Sequence, residues 1–505
     1  MPDLSAVTFD PHAWVVWENF TEQQYVESSR LVISPRGEFG GTKNRVVPLP
    51  SRIAEIIRIM RNREHEWAHF RQYISTEWGL FCYRLCAARE LAALKLFESL
   101  NESGKTFELM PLDLRLSRFA EWKVPVDAPW QPDDREAFWS TVWRYADLID
   151  GALWCKSTRI DHLMHAWQVV LKTLGPSRYF QGDSAGALLT SKHPSEALSL
   201  ADGHVTVADL VEAFARYREF WFAVRISRED AIESMASSYL DHLCPASAYA
   251  REFLGITRFH PLLGALADLA ILCFRDPFGQ PDGSQLCWEE IHPGLCYERA
   301  VRRLSKKQGA LPVKHEDAYQ EALGAFDLDS ELLKKRLMAF LQRYAAEIVT
   351  NAGDAVRDDH PSPERWPEVI RNFQRSSFLE SLSLRAAVPT LFFEHTLASE
   401  DIRNKYSSVT RPPVLAQTDG IFIPHGARRS VFVGHLCAIH ALSSYFLDET
   451  IRFGELDRTV SYARLGVHGV LKLFDPEMIK PMLLKMTGKS GTVFIDAALR
   501  RIDAQ

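Results

Sequence analysis

Residues 51–74 read SRIAEIIRIMRNREHEWAHFRQYI, and the reading of this stretch decides the fold class. Ile53, Ile56, Ile57, Met60, Trp67 and Ile74 recur at helical spacing, and Ser51 is placed to cap the start. Inside that helix lies His65-Glu66-Trp67-Ala68-His69. Residues four apart on a helix share a face, so both imidazoles can point at one ion. Neutral imidazole suits zinc, and a catalytic zinc site takes three protein ligands and keeps a fourth position for water. Glu66 sits on a turned face, where it can reach a zinc-bound water and serve as the general base. Asn62, His65, His69 and Gln72 form one polar stripe on an otherwise apolar helix. A stripe facing solvent would be ordinary surface. A buried one would be a site.

Working outward, Ser75 to Gly79 breaks the helix, with Gly79 expected in a turn conformation that other residues resist. Leu80 to Leu100 is a second long helix, rich in Leu and Ala, so the pair forms an antiparallel hairpin. Further helices are expected at 135–151, 158–174, 207–226, 228–241 and 261–274, with loops at 175–204 and 275–295. Leu262 to Phe274 is the most apolar run and reads as a buried helix, too short to span a membrane. Helical texture continues from 296 to about 351, and a proline-containing connection follows at Gly353 to Pro367. Three short apolar runs in residues 1–50 suggest strands. Thr418-Asp419-Gly420 between two apolar runs suggests a hairpin, and a last helix is placed at 434–448. The expected chain is mainly α, with small β elements at the N-terminus and near 414–433. It divides into a β-rich segment (1–50), a helical catalytic region (51–275) and a mostly helical C-terminal region (276–505).

The third ligand has two candidates. Glu90 follows His69 by 21 positions on the second helix. Glu212 sits in Asp209-Leu210-Val211-Glu212-Ala213-Phe214-Ala215-Arg216, where a bare carboxylate is costly unless paired or metal-bound. Ala215, one turn on, would let that helix approach another closely. Glu212 is favoured on these grounds, with Glu90 left open. Gln72, uncharged, is expected at the cleft or its rim to orient a ligand or bind substrate backbone, with Glu77 as an exposed reference. His204 and Tyr217 are candidate donors to a developing oxyanion. Asp161, His162 and His165, then His435 and His440, and Glu394-His395 read first as ordinary packing or surface groups.

The pattern His65-Glu66-x-x-His69-x-x-Gln72, followed by Ser75-Thr76 and Gly79-Leu80, resembles a bacterial group of zincin-like metallopeptidases of gluzincin type. In these the third ligand is a glutamate from a later Glu-x-x-Ala helix, which Glu212 to Ala215 matches, and Ala265 to Leu272 is also similar to that group. The resemblance covers about residues 51–275. It implies a zincin-like core, Zn²⁺ held by His65, His69 and Glu212, and a peptide or protein substrate.

Composition narrows the alternatives. The chain has 505 residues, with 46% hydrophobic and 25% charged, ordinary values for a globular protein. A net charge of −6 without a basic stripe argues against nucleic acid. No apolar run is long enough for a membrane span, and the N-terminus lacks a signal-peptide pattern. The eight cysteines include no Cys-x-x-Cys pair, which fits reduced thiols and a cytoplasmic address. No Gly-x-Ser-x-Gly elbow or Walker loop is present. The reading from another class is a non-catalytic helical interaction protein with a structural or vestigial histidine pair.

Overall fold

The computed structural model describes residues 50–83, 205–226, 244–275, 286–307, 309–349, 366–394, 399–410 and 412, and short strands within 7–41, 189–190 and 414–424. These residues are mainly helical. Helix α1 (Pro50–Tyr73) carries the His-Glu-x-x-His motif. It begins with Pro50, one residue before the expected cap Ser51; proline's fixed φ suits a first helical turn, whose N–H has no partner to lose.

The chain reverses at 74–76, earlier than the expected break at Ser75 to Gly79, and helix α2 is described over 77–83. Ser75 Oγ donates to the Arg71 carbonyl (2.7 Å) and Thr76 Oγ1 to that of Gln72 (2.9 Å). Thr76 Oγ1 also accepts from the Gly79 amide at 3.0 Å, so it caps α2. Gly79 is therefore a helical residue and its role is space. A Cβ there would stand 1.5 Å from the Tyr73 carbonyl oxygen.

Helix α3 (Val207–Ile226) coincides with the expected 207–226. Its start is fixed by a reciprocal cap: the Thr206 amide and hydroxyl donate to Asp209 Oδ2 at 2.9 and 2.8 Å, and the Asp209 amide donates to Thr206 Oγ1 at 3.2 Å. Helix α4 (Pro245–Leu254), which the sequence reading did not assign, ends on Gly255 in the left-handed conformation (φ 63°).

Helix α5 (Pro261–Cys273) is the expected buried helix. Every residue from Pro261 to Leu272 is buried. A helix apolar on all sides needs neighbours on all sides, and α3, α7 (Pro293–Ser305) and α8 (His315–Ala325) supply them. The α3–α5 crossing rests on Gly264, where a Cβ would come within 2.3 Å of the Tyr217 ring.

The stretch 275–295 is not simply a loop. It contains the short helix α6 (Trp288–Ile291) and the start of α7, where Pro293 occupies the first turn and His292 Nδ1 accepts from the Leu295 amide at 3.4 Å. Helix α9 (Ser330–Val349) packs on α10 (Trp366–Ala387), and α10 on α11 (Glu400–Val409).

The described strands are short. Val7–Asp10, Val15–Glu18, Val414–Thr418 and Ile421–Pro424 form one sheet in that spatial order, with the two middle strands parallel and the outer pairings antiparallel. Among the described residues, no helix is long and apolar enough to cross a membrane.

Candidate metal centre

Helices α1 and α3 pack along each other, and their charged residues sort onto two faces. On one, Glu64 of α1 accepts from Arg218 Nη2 at 2.8 Å and Arg71 Nη1 at 2.9 Å, while Arg218 Nη1 donates to the Phe393 carbonyl at 2.8 Å. Arg218 is deeply buried. Burial alone would lower its pKa, but the charge of Glu64 outweighs that and holds the guanidinium above its usual range. This face is structural and fixes how the two helices sit.

On the other face the motif meets α3. His65 Nε2 and His69 Nε2 stand 3.1 Å apart, with rings nearly perpendicular (87°). Glu212 Oε2 lies 3.3 Å from His65 Nε2 and 3.5 Å from His69 Nε2. A tetrahedral zinc with ligands at about 2.0–2.1 Å places neighbouring donor atoms about 3.3–3.4 Å apart. The three measured edges bracket that value. Two imidazole nitrogens and a carboxylate oxygen are also the donor types zinc prefers. Among the described residues this is the one group able to hold a metal ion, and the donors present fit zinc.

The polar stripe is not solvated surface. His65 is 8% exposed and Gln72 1%, with Asn62 and His69 half-buried. Glu212 is half-buried, so the triad opens on one side. Burial by itself would lower the pKa of His65. The facing Glu212, aided by Glu219, overrides this and lifts it to about 10. The same attraction, opposed by burial, pushes Glu212 well below the usual carboxylate range. The facing carboxylates thus favour positive charge at this point.

The sequence reading missed the groups behind the ligands. Glu219 Oε2 lies 3.3 Å from His65 Nδ1, and Glu219 Oε1 accepts from Arg61 Nη2 at 2.8 Å. Arg216 Nε donates to Glu212 Oε1 at 2.8 Å, and its Nη1 is 3.7 Å from Glu219 Oε2. A carboxylate on the far nitrogen of a ligand histidine fixes its tautomer and orientation. A signal was available: Glu212, Arg216 and Glu219, at i, i+4 and i+7, put three charges on one face of an apolar helix. Glu219→Gln is expected to weaken zinc binding roughly 10–100-fold, measured by competition with a chelating dye. Unchanged affinity would reduce Glu219 to a helix-packing charge.

Other expectations are corrected. Gln72 is not at an open rim but fully enclosed, and neither amide atom has a hydrogen-bond partner among the described residues. Glu77 is buried, 3.7 Å from Arg343, and so is no exposed reference. Tyr217 is a core residue, its ring stacked between Phe259 and Phe393 at centroid distances of 5.4 and 5.3 Å. Glu394, read as an ordinary packing or surface group, is buried, and its charge acts on Arg218 and His315. Glu90, Asp161, His162, His165, His204, His395, His435 and His440 lie outside the described residues, as do the helices expected at 135–151, 158–174, 228–241 and 434–448.

Comparison with family models, curated proteins and solved structures gives no match.

Proposed function

We propose that this chain is a zinc-dependent hydrolase, most specifically a metallopeptidase, with His65, His69 and Glu212 as ligands and Glu66 as general base. The observation that carries the reading is the convergence of His65 Nε2, His69 Nε2 and Glu212 Oε2 within 3.1 to 3.5 Å of one another, from helices whose ligands lie up to 147 positions apart in sequence (212 − 65). A bound zinc would supply Lewis acidity and a water acidic enough to lose a proton near neutral pH. Glu66, on α1 between the two histidines, would be the base that accepts a proton from the attacking water and returns it to the departing amine. Arg216 holds Glu212 through a 2.8 Å hydrogen bond, and Glu219 Oε2 faces His65 Nδ1 at 3.3 Å. The fold reading that accompanies this is a zincin-like helical core built on α1 and α3, acting on a peptide or protein substrate.

The test is metal content. Purified chain dialysed against trace zinc should hold one equivalent, while His65→Ala, His69→Ala and Glu212→Ala should each hold far less. Zinc affinity should also fall as pH falls, because protons compete for the same nitrogens. Wild-type protein without stoichiometric zinc would favour the alternative of a helical interaction protein with a structural histidine pair.

A further inference from the structure

Away from the metal centre, a cavity of about 350 Å³ lies where the end of α5 meets α6, α7, α9 and the turn after α8. Among its described wall residues are four arginines, Arg275, Arg299, Arg303 and Arg336, against two carboxylates, Glu290 and Asp327. Asp327 is committed to Arg303, at 2.6 Å. One carboxylate cannot neutralise the three guanidinium groups that remain, and arginine does not shed its charge. Arg336 is fixed in place: its Nη2 donates to the carbonyls of Cys273 and Phe274 at 2.8 and 3.3 Å, which closes the last turn of α5. Neutral carbonyls hold that side chain without cancelling its charge. Arg275 follows directly after the same turn. Desolvation, joined by the like charges of Arg336 and Arg343, outweighs the pull of Glu77 and holds the pKa of Arg275 below its usual range. Two guanidinium groups that repel each other in one cavity are stabilised together by an anion bound there.

We propose that this cavity is a binding site for a small phosphate monoester, its phosphate held by Arg275 and Arg336 and its organic part resting on Ile291, Ala325 and Leu328. Charge selects the phosphate. A phosphate monoester carries about −1.5 to −2 near neutral pH, which answers two uncompensated cations at one point. A single carboxylate brings half of that, and a dicarboxylate spreads it over two separated groups. The planar fork of a guanidinium also matches phosphate oxygens in pairs.

Volume and lining select the ester over the bare ion. Sites for small organic ligands run from about 300 to 1,000 Å³, and combine an apolar wall with a few placed polar groups. This cavity falls in that range and has both parts, with Ile291, Ala325 and Leu328 beside the arginines. Inorganic phosphate would meet the charge and leave the apolar wall uncovered.

The test is calorimetric titration of the full chain at pH 7.5 and fixed ionic strength with phenyl phosphate, inorganic phosphate and succinate. Phenyl phosphate should bind at one site and more tightly than inorganic phosphate, with succinate the weakest. Arg275→Met and Arg336→Met should each weaken phenyl phosphate roughly tenfold or more, the usual loss with one charged hydrogen-bonding partner. Arg336→Met also opens the end of α5, so Arg275→Met, which removes no helix cap, is the deciding variant. Arg302→Met, on α7 but outside the cavity wall, should leave the affinity unchanged. So should His69→Ala, which separates this cavity from the metal centre. No saturable binding of phenyl phosphate, inorganic phosphate or succinate binding as tightly, an unchanged affinity in Arg275→Met, or a loss in Arg302→Met or His69→Ala would each overturn the proposal.

Discussion

Glu66→Gln is expected to keep its zinc and lose hydrolytic turnover by about 10²–10⁴-fold. The amide is nearly isosteric with the carboxylate, so α1 and its two imidazoles should not move. What it lacks is a basic oxygen. Glutamine cannot take the proton from the attacking water, and so cannot return it to the amine. The two readouts separate the role from its surroundings: zinc per chain should match the unsubstituted protein, while turnover of a mixed peptide library followed by mass spectrometry should collapse. His69→Ala gives the opposite signature, with metal and turnover lost together. Turnover by Glu66→Gln at the unsubstituted rate would remove Glu66 from the mechanism. It would leave the ligand triad to a different chemistry.

The parts of the site legible in the sequence share one property: their signal is local. Helix α1 and the pairing of His65 with His69 follow from a four-residue spacing. The start of α3 follows from Thr206 and Asp209, three apart, which cap one another. Glu212 could be singled out because a carboxylate among apolar neighbours must be partnered. The misreadings also have local causes. Pro293 lies in the stretch 275–295 expected as a loop, yet proline in a first turn starts a helix, as Pro245 also does for α4. Gly294 is there for proximity, since a Cβ would stand 1.7 Å from the Val205 carbonyl oxygen. What no local pattern could give is the identity of a distant partner. The rule that flagged Glu212 applies equally to Asp268 in α5, and the answers differ. Glu212 faces two imidazoles, whereas Asp268 faces a guanidinium 117 positions away.

Arg385→Met is expected to destabilise the fold by about 3–5 kcal/mol, the usual cost of stripping one partner from a buried ion pair. Arg385 and Asp268 are both fully buried. Arg385 Nη2 donates to Asp268 Oδ1 at 2.5 Å, Nη1 donates to Ser75 Oγ at 2.8 Å, and the guanidinium lies 4.8 Å from the Phe392 ring centroid. One side chain of α10 thus ties α5 to the turn that ends α1. Methionine restores the volume but none of the charge. Burial already pushes the Asp268 carboxyl above its usual pKa, opposed chiefly by Arg385. Removing Arg385 lets burial act unopposed by its main partner, so the folded state should bind a proton that the unfolded state releases. With more protons bound in the folded state, stability falls as pH rises. The deficit of Arg385→Met should therefore be largest near neutral pH and shrink as pH falls through the raised pKa of Asp268 towards the ordinary carboxylate range. Asp268→Asn combined with Arg385→Met should recover part of the loss, since no bare charge is left behind. Urea unfolding of the single and double variants at pH 5 and pH 7.5 measures all of this. A single-variant loss under about 1 kcal/mol, or a deficit that grows on acidification, would mean that the pair does not carry the junction between α5, α10 and the end of α1.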